Sequence, residues 1–184
     1  GAHGGALLPG HCGATTCAVG SGAYDSTDLR LQIKVPTNAK SFSYDFRFFS
    51  AEYQTYQCTQ YNDYYLAILS SGAAGIPADH NISFDATNNP VSVNNGFFQV
   101  CGGNGKNCGA CPSGTGPLAG TGFGSESYNG GATDWLTTDA PVVSGETITL
   151  DLSVFDVSDG TLDSLVVLDN FRWSSLPATV STHE

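Results

Sequence analysis

The sequence predicts an all-β protein, an antiparallel β-sandwich of jelly-roll type, and three observations predict it. Apolar and polar residues alternate in several short runs, the period of a half-buried strand. Clusters rich in Gly, Ser, Thr and Asn separate these runs, and no stretch carries a helical period. The chain has 184 residues, enough to bury one core and suited to one domain.

The elements follow in order. Residues 1–27 are Gly-rich, carry Cys12 and Cys17, and are expected to form a segment closed by a local disulfide. The sandwich domain is expected over 28–173. It opens with "DLRLQIKV", whose alternation sets Leu29, Leu31, Ile33 and Val35 on one face. "SFSYDFRF" does the same with Phe42, Tyr44, Phe46 and Phe48. "YYLAIL" is a continuous apolar run and reads as a central strand covered on both faces. "NISFD" and "GFFQV" read as short strands. Residues 101–131 are rich in Gly and Cys and nearly strandless, and so long a connection in a compact domain is usually functional or stapled. "ETITLDLSVF" alternates through Ile148, Leu150, Leu152 and Val154, and "SLVVLDNFRW" is the last clear strand. Residues 174–184 are small and polar and read as a tail.

Charge narrows the function. The formal net charge is −11, with six Lys and Arg in all. The cations form no basic stripe, which argues against nucleic acid as a partner. An anionic membrane surface would repel the chain, and no apolar run is long enough to insert in a bilayer.

The six cysteines are Cys12, Cys17, Cys58, Cys101, Cys108 and Cys111. An even number in a loop-rich chain favours disulfides and an oxidising, extracellular compartment. Zinc is the rival, because "CGGNGKNCGAC" contains a C-x2-C, but a structural zinc site usually needs four ligands. Cys12–Cys17 is the easiest local pairing. The other four allow three pairings, and the sequence does not choose among them.

Carboxylates gather at strand ends. Glu52 and Asp63 flank the connection "SAEYQTYQCTQYND", and Asp156, Asp159 and Asp163 lie in "FDVSDGTLDS". If these ends meet, an oxygen-rich site forms of the kind calcium takes, with 6–8 oxygen ligands. Two other readings stand beside it. The Asp residues can cap loop backbone, or Glu52 and an Asp can form a glycosidase acid pair.

Together, "FSYDFRFFSAEY", "YNDYYLAIL" and "GETITLDLSVFDVSDGTLDSLVVLDNF" resemble the choice-of-anchor L domain, a family of bacterial surface modules. The resemblance covers roughly residues 25 to 173. Its pattern falls on Phe49 to Tyr53, on Asn62 and Asp63, and on Asp156, Asp159, Asp163 and Ser164. It implies an exported, surface-associated module stabilised by metal, and it brings no catalytic residues. The expected function is therefore non-catalytic: extracellular adhesion or structure, calcium-stabilised and self-assembling into a filament or matrix, with other copies of the chain or other surface proteins as partners. A carbohydrate-binding module is the second reading. It rests on exposed aromatics for stacking on polysaccharide, of which Trp135 and Tyr56 are the candidates. No nucleophile elbow, zinc-protease motif or phosphate loop is present.

Overall fold

The computed structural model describes residues 17–102, 111–124 and 130–184. Its strands are β1 (Ala23–Lys34), β2 (Ser41–Ser50), β3 (Tyr64–Ser70), β4 (Val91–Ser92), β5 (Phe98–Val100), β6 (Gly131–Thr133), β7 (Leu136–Pro141), β8 (Thr147–Val157), β9 (Ser164–Ser174) and β10 (Ser181–His183). Among the described residues a 3-10 turn, Gly116–Leu118, interrupts them.

All pairings are antiparallel, and they make two sheets. The first runs β1-β8-β3-β4. The second is built on β2, which carries β9 along one side and β7 and β6 along the other. β10 lies outside β7, and β5 outside β6. Alternation explains which faces meet. Phe42, Tyr44, Phe46 and Phe48 of β2 point inward, as do Tyr65, Ala67 and Leu69 of β3 and Ile148, Leu150 and Leu152 of β8. Their side chains form one core between the sheets, so the molecule is the expected sandwich. Tyr44 and Tyr65 settle their hydroxyls inside it by bonding each other at 3.0 Å, as buried phenols must.

Several expectations change. "YYLAIL" is not covered on both faces: Leu66 and Ile68 point outward and are half buried, while alternate residues fill the core. "NISFD" forms only isolated bridges, at Asn81 and Phe84. β1 begins at Ala23, inside the segment set apart by composition, and the polar residues 174–184 include β10.

The disulfides differ as well. Cys17 pairs with Cys58, not with Cys12. The chain entering β1 runs beside the 51–63 connection, with the Ala18 amide donating to the Cys58 carbonyl, so Cys17 is brought to Cys58 by the fold, which local spacing could not reveal. Cys101 pairs with Cys111 and closes the Gly-rich loop. Cys12 and Cys108 lie outside the described residues.

Candidate functional site

The 51–63 connection is tied down along its length. Tyr53 is buried flat against Phe98, with ring centroids 4.4 Å apart, and its hydroxyl donates to the Phe98 carbonyl at 3.0 Å. The Gln54 amide meets the sulfurs of Cys101 and Cys111 at 3.1 and 3.0 Å. Cys58 is held by its disulfide and by its amide, which donates to Asn94 Oδ1 at 2.6 Å. This anchoring fixes both carboxylates that flank the connection.

Those carboxylates meet. Asp63 is fully buried and Glu52 is 2% exposed. Asp63 Oδ2 accepts from Ser164 Oγ at 2.7 Å and from Ser50 Oγ at 3.2 Å, and Oδ1 accepts from the Val157 amide at 3.3 Å. One side chain thus joins the end of β2, the end of β8 and the start of β9, directly before β3. These three strand ends meet at Asp63, a convergence that the sequence left as a condition.

Glu52 and Asp63 are near enough for each to shift the other's titration, and a proton held between the two carboxyls would relieve their repulsion. Burial, then the neighbouring Asp63, push the Glu52 carboxyl up to about 9. Burial also raises Asp63, against the hydrogen bonds it accepts. Asp156 lies on the core side of β8 and is raised to about 7 by burial and by the charge of Asp63. Glu52 Oε2 is buried and has no hydrogen-bond partner, a costly state for a carboxyl oxygen.

The outer acidic residues act at longer range. Asp159 raises both Glu52 and Asp156 through space, and Asp163 raises Asp156. Asp25 joins them, although sequence reasoning missed it. The register that sets Tyr24 opposite Asp156 brings it there. Gly160 makes room for it, since a Cβ at Gly160 would lie 2.1 Å from Asp25 Oδ2. The "DG" of "VSDGT" was the one available signal. Among the described residues, no three acidic, His or Cys side chains converge closely enough to make a ready metal cage.

A second feature lies on the outer face of the first sheet. Tyr64, Leu66, Ile68, Phe155, Val157 and Pro90 help line a cavity of about 760 Å³, with Asn62, Asp79 and Asn81 among its polar groups. Tyr64 and Phe155 stack at 5.7 Å. The double-faced apolar run "YYLAIL" was its trace in the sequence.

Of the two candidate binding aromatics, Tyr56 sits on the 51–63 connection, its amide donating to the Glu52 carbonyl at 3.0 Å, and Trp135 lies elsewhere, in neither group of residues. Trp135, between β6 and β7, is 43% exposed. The Arg47 guanidinium lies 5.3 Å from its ring centroid. Tyr56 is 36% exposed and meets Tyr61 edge to face.

Two packed antiparallel sheets, stapled by disulfides and closed at one end by buried carboxyls, define a compact β-sandwich module. The chain belongs to the choice-of-anchor L domain family, whose model matches residues 15–172. It is thereby a surface-associated bacterial module. The two disulfides among the described residues fit an oxidising exterior. No described helix is long and apolar enough to cross a membrane. Neither the curated proteins nor the solved structures contain a match to the chain.

Proposed function

We propose that the domain is a non-catalytic module of the bacterial surface, serving adhesion or structure, and that its buried carboxyl cluster takes one calcium ion. The observation that carries the non-catalytic part is the burial of Glu52 and Asp63. A glycosidase pair must face an open cleft to reach a sugar, and this pair is sealed between strand ends. Its Asp63 is occupied in holding three strands together.

The calcium part is supported by Glu52 Oε2, a buried oxygen without a partner, in a donor set made wholly of oxygen. Such a set suits a hard cation. Glu52 would bind the ion first, Asp63 and Asp156 would have to draw in around it because they form no ready cage, and Asp25, Asp159 and Asp163 would supply the surrounding negative field. A shared proton relieves the same repulsion, so proton and cation compete for the site. The test is thermal melting at about pH 8, where proton competition is weaker, with millimolar calcium or with chelator. Calcium is expected to raise Tm in the parent protein and to leave E52Q unmoved. An equal melting temperature with and without calcium removes the ion from the reading. Release of reducing ends from a polysaccharide, lost in E52Q, would replace the whole reading with a hydrolase.

Carbohydrate binding is the second reading, favoured by Trp135. Its ring is substantially exposed and has a cation beside it, a usable platform for a sugar. As a surface module, the domain would also associate with its own copies.

A further inference from the structure

We propose that β1 is a self-recognition edge: two copies of this chain pair their β1 strands antiparallel about a two-fold axis at Leu31, merging two four-stranded sheets into one. The proposal names the partner in the self-association part of the reading above, and it rests on that part.

β1 bonds to β8 along one side and to no described strand along the other. From Thr27 to Lys34 it runs opposite Val154 to Thr147 without a register shift. Every residue in that stretch is exposed or half-buried. Leu29, Leu31 and Ile33 nevertheless lie on the core side, opposite Leu152, Leu150 and Ile148, and Leu29 is 46% exposed. A free edge offers unpaired amides and carbonyls that an added strand can satisfy. The other long edge, β9, is less suited. A register shift and the positive φ of Asn170 (57°) mark a bulge there, which bends the strand away from a straight partner.

The order of side chains on β1 says what pairs with it. With the axis at Leu31, Asp28 faces the partner's Lys34, Leu29 faces the partner's Ile33, and Leu31 meets its own copy. The ion pair and the apolar pair each occur twice, because the interface is isologous. All core-side residues stay on one face of the joined sheet. The adjacent registers that preserve the faces are penalised. An axis at Arg30 sets that residue against its own copy, and an axis at Gln32 sets Arg30 against the partner's Lys34. Like charges directly opposite are destabilising, so the charge order selects one register out of three.

The groups involved are free to do this. Asp28 accepts from Ser26 and Ser153 and Lys34 donates to the Gly145 carbonyl, all at the exposed rim. Arg30 is already held by Asp151.

The experiment is sedimentation equilibrium over a wide concentration range on the parent protein, D28K, K34D and the double variant D28K/K34D. Both positions are exposed, so each variant is expected to keep the parent's circular dichroism. The parent is expected to dimerise. Each single variant sets like charges opposite each other twice and weakens the dimer by about tenfold or more, and the double variant restores it. A parent that stays monomeric at every concentration overturns the proposal. So does a dimer indifferent to the single changes, or one the double variant fails to rescue. Calcium-dependent melting on the same samples separates the two readings. An intact calcium shift without dimers removes the β1 pairing and leaves the calcium-bound module standing. Dimers without a calcium shift do the reverse.

Discussion

The carboxylate of Asp63 accepts from Ser50, Val157 and Ser164, and so receives one bond from each of three strands. Glu52 beside it has a buried Oε2 with no hydrogen-bond partner. The consequence for pH has a definite sign. Glu52, Asp63 and Asp156 all have folded-state pKa values above those of free carboxyls. The folded state therefore holds protons that the unfolded chain has released above about pH 4. Without divalent cations, stability is greatest near the acid end of that window and declines as pH rises toward 9, where Glu52 titrates. Urea midpoints in chelator across this range check it, and a midpoint that rises with pH would contradict the shared proton. The carboxyls themselves were legible in the sequence, because acidic residues beside apolar strands demand a partner. Asp25 was not, because nothing in one sequence says which strand β1 pairs with.

At the scale of elements, the strands with clean alternation were legible, β2 and β8 over most of their length and β1 from Leu29 on, and β9 was legible by its apolar run Leu165–Leu168. β7 was missed because its inward residues, Leu136, Thr138 and Ala140, include only one large apolar side chain. β10 was missed because three polar residues carry no period at all, and their pairing to β7 is a tertiary matter. β6 illustrates a constraint hidden at a glycine. A Cβ on Gly131 would lie 2.2 Å from the Tyr53 ring, the ring that anchors the 51–63 connection against Phe98. G131A should therefore push Tyr53 off its seat and cost about 1–3 kcal/mol, as overpacking of a filled core does. Chemical denaturation checks it. An unchanged midpoint would mean that the connection yields easily, and the rigid placement of Glu52 would lose its support.

Considered whole, the molecule combines a strongly acidic surface with few cations, and most of those are used locally. Arg30 and Arg172 each pair with an Asp on a neighbouring strand, and Arg47 pairs with Asp134 in the β6–β7 connection. The fold class could be read in advance because strand period and turn composition act locally. The disulfide Cys17–Cys58 could not, since it depends on the path of the chain between them. That bridge also changes how the module bears tension. A pull entering ahead of Cys17 crosses directly to Cys58 and bypasses the 41 residues of sequence separation between them, including all of β1 and β2. Those two strands are held out of the line of force, and about 140 Å of extensible chain is withheld at roughly 3.3–3.6 Å per residue. Single-molecule stretching should show the oxidised protein shorter at full extension by that length than the same protein after Cys17–Cys58 is reduced. On a bacterial surface exposed to flow, the strand proposed to meet a neighbouring copy would then be one whose own chain the pull does not extend.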